Sequence, residues 1–413
     1  MKNGSTTMKK IPVRKEILLV HNPLKICMHV RGVARTDVRV MREATALVEA
    51  GLDVCIVDIE TDTRRAKNER IKDVHFKHII KPEWLIAERS KIRRFIKTVQ
   101  KLITTTICLY NVSAAIYYAH DINALLPCYI ASLLHRKRLV FDAHEMPLYE
   151  LERARNHRLN RLIIQFYIAI IRQASGIITV SPPIIEEMSK LYAISDITLV
   201  RNILPYQTVP NSNRLRQRLN LGLEVRIVLY QGNLQPGRGL ETLIQAAKFL
   251  EKNIMIVFMG RECGTTSTEL RALMVKEGVE GRVKIIPPVP YEELLDWTIS
   301  ADIGAIPYSP DYSINTYVQM PNKLFEYLMV GLPILASPLP AIVDIINTHG
   351  VGRVLSSLEP GNVGAEINAM LSDPASLERM KRNALAAAHS DLCWEAESQH
   401  LIHCYSRLEK RQK

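Results

Sequence analysis

Short apolar runs rich in Val and Ile alternate along this chain with longer stretches of helical periodicity. Ile26–Arg31 reads as a strand, Val38–Ala50 as a helix and Asp53–Asp58 as the next strand. Gly51 sits just past that helix, where a left-handed cap wants glycine. The strand series continues at Ile116–Ala119, Leu139–Asp142, Ile177–Val180 and Ile197–Val200. From Asn202 to Asn213 the pattern breaks, and Pro205 with the run Pro210-Asn211-Ser212-Asn213 reads as a linker. Alternation then restarts. Strands are predicted at Arg226–Tyr230, Ile254–Met259, Val283–Ile286, Ile303–Ile306 and Pro333–Ala336, helices at Gly239–Leu250 and Pro321–Val330, and a final helix at Glu395–Lys410. This predicts an α/β protein of two Rossmann-like domains, with mostly parallel sheets facing each other across a cleft. The expected divisions are residues 1–201, a linker at 202–216, a second domain at 217–390, and a C-terminal helix at 391–413 that packs back toward the first domain.

One helix stands apart. Between Glu88 and Ile103, the apolar residues Ile92, Phe95, Ile96, Val99, Leu102 and Ile103 share a face, and Arg89, Lys91, Arg93, Arg94, Lys97 and Lys101 flank or oppose it. Such a helix either packs its apolar face on the sheet, as every helix of this architecture needs to, or lies on an anionic membrane surface.

Composition narrows the picture without choosing a partner. The 413 residues are 47% apolar, which excludes a disordered or collagen-like chain and a small disulfide scaffold. Lys and Arg total 54 against 42 acidic residues, a net charge of +12 that favours anionic partners. No apolar run approaches the roughly 18 residues needed to span a bilayer; the longest, Leu162 to Ile171, contains Gln165. The stretch Met1 to Lys15 is polar and basic without a signal-peptide core. Seven scattered cysteines, such as Cys55 and Cys108, read as reduced core residues of a cytosolic protein. His75 and His78 have ligand-like spacing, but no cluster completes them, and no metal site is expected.

Four segments carry candidate chemistry. The first is Gln231-Gly232-Asn233-Leu234-Gln235-Pro236-Gly237-Arg238-Gly239-Leu240, which follows a strand and opens a helix. Its glycines let backbone approach a ligand, and Arg238 adds a cation where a diphosphate would fit. A tight strand–helix turn would use the same residues. The second is Pro321-Asn322-Lys323-Leu324-Phe325-Glu326-Tyr327-Leu328, where Asn322, Lys323 and Glu326 share one helical face and Leu324, Phe325 and Leu328 the other. A carboxylate there can accept both hydroxyls of a ribose and the lysine can meet a phosphate, or the two can form an ordinary surface ion pair. The third comprises two strand ends, His120-Asp121 and Asp142-Ala143-His144-Glu145, whose neighbouring positions would bring His144 close to Asp121. The fourth is the Val30–Arg39 loop, where Gly32 permits a sharp turn and Arg31, Arg35 and Arg39 make a basic mouth suited to an anionic acceptor.

In this order the segments resemble glycosyltransferases of the GT-B fold, and specifically glycosyltransferase family 4. Pro321–Tyr327 followed by Gly331-Leu332-Pro333-Ile334-Leu335-Ala336 resembles the family's nucleotide-sugar segment, and Gln231–Gly239 its phosphate loop. Val180-Ser181-Pro182-Pro183 with Val200-Arg201-Asn202 resembles the run into the interdomain linker, and Asp142–Glu145 an N-domain motif of some members. The resemblance implies a UDP-, GDP- or ADP-sugar as substrate, no cofactor and no metal. It implies donor contacts from Gly232, Asn233, Arg238, Asn322, Lys323, Leu324 and Glu326, acceptor contacts from Arg31, Gly32, Arg39 and His120, and catalytic roles for His144 and Asp121. The implied acceptor is a glycan, a lipid-linked glycan or a small molecule, bound by the first domain, and nucleic acid is not an expected partner. The expected activity is retaining hexosyl transfer in cell-surface polysaccharide synthesis, at the inner face of the membrane through residues 88–103. Many members carry a second glutamate where this chain has Val318, and Arg and Lys where it has Asn233 and Arg238. Backbone around Tyr317–Pro321 would then replace the missing side chain. The competing readings are a nucleotide-sugar epimerase of the same architecture and a non-catalytic basic protein that keeps the fold.

Overall fold

The computed structural model describes residues 24–80, 90–149, 158–264 and 266–410. The readings made for Met1–Lys15 and for Glu88 and Arg89 lie outside the described residues. Strands β1 (Lys25–His29), β2 (Asp53–Glu60), β3 (Asn68–Ile71), β4 (Val74–Ile80), β5 (Ile116–His120), β6 (Arg138–Ala143), β7 (Gly176–Thr179) and β8 (Ile197–Leu199) form one sheet in the order β3-β4-β2-β1-β5-β6-β7-β8. A second sheet has β9 (Arg226–Gln231), β10 (Ile254–Met259), β11 (Val283–Ile286), β12 (Ile303–Ile306), β13 (Ile334–Ala336) and β14 (Gly352–Val354) in the order β11-β10-β9-β12-β13-β14. Ile26 registers with Val54 on one side and Ile116 on the other, both parallel, and β9 lies parallel between β10 and β12. Buried on both faces, these strands read as continuous apolar runs.

Two compact units result. One comprises the described parts of Met1–Asp142 and Glu395–Lys413 together with Ala169–Ile177; the other comprises those of Ala143–Ile168 and Ile178–Trp394. In the first, the C-terminal helix Trp394–Lys410 sets Tyr405 edge-on to Tyr118 at 5.9 Å, and Arg138 donates to the carbonyl of Leu408. In the second, a single apolar core runs from Ile203 to Leu392 around the six-stranded sheet.

Local signals explain most boundaries. Asp37 accepts from the backbone N–H groups of Arg39 and Val40 and starts the helix Val38–Glu49, and Gly51 follows its end at φ +93°. The helix expected over Gly239–Leu250 is Leu240–Ala246, tightening into a 3₁₀ turn at Ala247–Phe249. The expected linker overlaps a helix, Arg214–Leu219, because Leu215 is fully buried in the second core. The β3–β4 hairpin and β14 show no uninterrupted apolar run, because His75, Lys77 and His78 break up β4 and β14 is only three residues long.

Five of the cysteines are buried, Cys108 and Cys263 are half-buried, and all seven are free. His78 is held between Asp58 at 2.5 Å and Glu69 at 2.8 Å, so it ties the hairpin to β2, while His75 points to solvent. Among the described residues, no helix is long and apolar enough to cross a membrane.

One packing contact fixes the helix that carries Lys323 and Glu326. The hydroxyl of Tyr327 donates to the carbonyl of Leu229 at 3.0 Å and accepts from the backbone N–H of Gln231 at 3.1 Å, which clamps the helix Asn322–Met329 to β9. The ring lies against Gly304 of β12, where an added Cβ would sit 2.5 Å from a ring carbon. Gly304→Ala is therefore expected to destabilise the fold by about 1–3 kcal/mol through overpacking. Urea unfolding reads this directly, and a variant as stable as the native protein would contradict the clamp.

Candidate active site

A cavity of about 460 Å³ lies within the second unit, where the loop after β9 meets the start of the helix Asn322–Met329. Gly232, Asn233, Arg238, Asn322, Lys323 and Glu326 line it, as does His144. Leu324 does not: the helix turns its side chain into the core, where it is fully buried, which leaves only its backbone for the expected donor contact.

Lys323 dominates the electrostatics of the cavity. Its side chain is 5% exposed, and its Nζ has no hydrogen-bond partner. The ammonium lies 3.4 Å from the centroid of the Tyr230 ring and 5.1 Å from that of Tyr308. A cation over an aromatic face is partly compensated, but a buried ammonium without an acceptor still costs free energy. Burial pushes its pKa well below the usual lysine range, and Arg238 pushes it further, against the pull of Glu326. Gly232, at φ +111°, passes beneath it: a Cβ there would come within 3.4 Å of Lys323 Nζ. The glycine thus keeps the loop backbone close to the lysine with no side chain between them.

Two further groups are held in place around it. Arg238 stacks over Tyr308 at 4.4 Å and donates to Gln319 Oε1 at 3.0 Å. Gln235, in the amide orientation that satisfies both groups, accepts from the same guanidinium. The Glu326 carboxylate accepts from Gln231 Nε2 at 2.5 Å, and Gln231 Oε1 accepts in turn from Thr298 Oγ1 at 2.8 Å. Asn322 accepts from Asn202 at 3.0 Å. Gly239, at φ +69°, brings the loop against Pro307, whose carbonyl oxygen would be 1.8 Å from any Cβ. Sequence reasoning missed Thr298, Tyr230 and Tyr308, because strand and core residues carry no motif of their own, and it placed Gln231 in the loop segment without a role.

Val318 stands where the family resemblance implies an acid. Its side chain is buried, and its carbonyl accepts from Ser181 Oγ at 2.5 Å. Gln319, Met320 and Pro321 line the cavity beside it. Met259, Pro288, Val289 and Leu294 add apolar lining.

In the first unit, a cavity of about 370 Å³ is lined by Arg31, Gly32, His120 and Asp121 with Thr36 and Asn123. Arg31 donates to Asn123 at 2.9 Å. Asp121 adopts φ +65°, a strained conformation for a residue with a Cβ. So the structure places Asp121 with the expected acceptor residues and His144 with the donor residues.

The basic mouth expected at Val30–Arg39 is corrected. Arg39 is buried and does not line that cavity: it makes a two-pronged contact with Asp142, at 3.0 and 2.8 Å, and reaches Glu43 at 2.9 Å. Burial works against its charge, but those two carboxylates more than offset it and raise its pKa. Asp142 also lies 3.2 Å from His120 Nδ1, so Arg39 positions the carboxylate that orients that imidazole. Arg35 is paired with Glu60 at 2.8 Å.

Comparison with known proteins places the chain. Residues 36–205 match the Glycosyltransferase Family 4 family, and residues 211–386 match Glycosyl transferases group 1. The D-inositol 3-phosphate glycosyltransferase of Xylanimonas cellulosilytica is 27% identical over 199 residues, covering 48% of this chain and 46% of that protein. The protein of the same name from Corynebacterium efficiens is 28% identical over 203 residues, covering 47% and 46%. The chain thus spans about half the length of the curated relatives it matches. Among solved structures, sucrose-phosphate synthase from Thermosynechococcus elongatus superposes with a TM-score of 0.75 at 16% identity, over 94% of this chain and all of that one. HepE from Anabaena, in complex with UDP, gives 0.71 at 16%, over 93% of this chain and all of that one.

The state of Lys323 has a consequence for stability. Where the lysine is protonated in both the folded and unfolded states, its depressed folded pKa costs the fold stability. That cost fades as pH rises from the lowered value toward the ordinary lysine range. Lys323→Met should therefore raise the urea midpoint of the free protein at neutral pH, with a gain that shrinks toward pH 10; a loss of stability would show the lysine to be a structural group. The arrangement of the cavity and the two family matches together place this chain among the GT-B fold glycosyltransferases of family 4 type.

Proposed function

We propose that the chain transfers a sugar from a UDP-sugar to a hydroxyl of an acceptor, with retention of configuration and without a metal ion. The observation that carries this is Lys323: a buried ammonium with no acceptor, opening onto a cavity beneath a glycine. A diphosphate supplies the missing acceptors. In this reading Lys323 and Arg238 hold the diphosphate, and Glu326, fixed by Gln231 and Thr298, takes the ribose hydroxyls. The apolar lining at Val289 and Leu294 receives the base, and His144 meets the sugar. The complexes of HepE with UDP and with UDP-glucose support this choice of donor.

The step follows from that placement. The bond from the anomeric carbon to the β-phosphate oxygen breaks, and its electron pair leaves with UDP. Two preorganised cations stabilise the charge that develops on the phosphate, as a metal ion would elsewhere. The acceptor oxygen bonds to the anomeric carbon from the same face and passes its proton to the departing phosphate. The curated relatives' name points to a phosphorylated polyol as acceptor, with a glycan or lipid-linked glycan as the other candidate class. The proposed division of labour is donor binding by residues 217–390 and acceptor binding by residues 1–201, with Arg31, His120 and Asp121 lining the acceptor cavity.

Titration calorimetry with UDP, GDP and ADP tests the donor site. UDP is expected to bind most tightly, and Lys323→Met to weaken it roughly 10–100-fold, the size of a lost charge-assisted hydrogen bond. Glu326→Ala should also weaken binding, and Cys55→Ala, in the core of the first unit, should leave it unchanged. Native affinity in the Lys323 variant would sink the reading.

A further inference from the structure

The helix Lys91–Tyr110 turns its apolar face away from the protein. Ile92, Phe95, Val99, Ile103, Ile107 and Tyr110 recur at helical spacing along one stripe, and all are exposed, Ile92 at 74% and Phe95 at 70%. The side that packs on the first unit is instead the one carrying Thr105 and Leu109, both buried. This inverts the usual arrangement, in which the apolar face of a surface helix covers the core. Arg93 and Lys97 border one edge of the stripe, and Arg94 and Lys101 stand behind them. The packed end is anchored, since His135 meets the Tyr110 carbonyl at 2.9 Å and its ring lies tilted against the Tyr110 ring, with centroids 4.5 Å apart. Leu133 and Leu134 are exposed at that same end.

We propose that this helix docks the protein on an anionic bilayer surface. The stripe would lie among the upper acyl chains, and the basic edge would meet the lipid headgroups. A helix of this length runs about 30 Å in the membrane plane. Charge decides the occupant: among the described residues of the helix every ionic side chain is basic, and the chain carries +12 overall. A second copy of so basic a helix would repel the first, whereas phosphatidylglycerol attracts it. Charge and apolar area act together, so neither alone should suffice.

Co-sedimentation of the full chain with vesicles tests this. Vesicles of 30% phosphatidylglycerol in phosphatidylcholine should capture the protein, pure phosphatidylcholine should not, and capture should fall at least tenfold between 50 and 500 mM salt. The double variant Phe95→Ser, Ile103→Ser and the double variant Arg93→Glu, Arg94→Glu should each lose at least tenfold, with native UDP affinity and urea midpoint. Equal capture by neutral vesicles, or native capture by either variant, would overturn the proposal. So would a concentration-dependent dimer that Phe95→Ser, Ile103→Ser abolishes, since the stripe would then belong to a second copy.

Discussion

An ammonium buried with no acceptor is a cost that a folded chain sustains only when its surroundings impose it. Lys323 is imposed by the helix it sits on. Leu324, Phe325 and Leu328 must face the core, and Tyr327 is bolted to Leu229 and Gln231, so the third and sixth residues of the segment can point only at the loop after β9. The Tyr230 ring then receives the ammonium, Gly232 passes close to it without a side chain, and Arg238 is held nearby by Gln319. Each of these features makes sense once an anion completes the set. Without one, two cations share a low-dielectric pocket with a single carboxylate that is already hydrogen-bonded to Gln231.

The cavity is also preorganised around its carboxylate. Glu326 would be free to swing toward Lys323 and neutralise it, but Gln231, itself fixed by Thr298, holds one of its oxygens. Keeping these two charges apart costs stability. That is the trade expected under the proposed function, in which the site binds a diphosphate and releases it.

The parallel sheets and the donor segment were legible in the sequence for physical reasons. Strands buried on both faces give uninterrupted Val and Ile runs, and a helix with one core face spaces its polar residues at fixed intervals. The same logic failed where a residue's neighbours come from distant parts of the chain. Arg39 reads as a loop cation because nothing local shows Asp142, over a hundred residues away, lying against it. Leu324 joins the expected donor contacts through the family resemblance, while its own periodicity places its side chain in the core. The helix Lys91–Tyr110 is the sharpest case. Its amphipathicity was plain, but which face meets the protein depends on Thr105 and Leu109, and only the tertiary structure shows that the apolar stripe is the one left outside.

The central claim is that Lys323 waits for a diphosphate, and proton uptake tests it most directly. An anion placed on a lysine with a depressed pKa raises that pKa, so binding should draw a proton from the buffer. UDP binding would be measured by calorimetry in buffers of different ionisation enthalpy, across alkaline pH below the usual lysine range. Uptake that grows with pH and disappears in Lys323→Arg is the expected result, because arginine stays charged throughout. Binding with no net proton exchange at any pH, or the same uptake in the arginine variant, would contradict it.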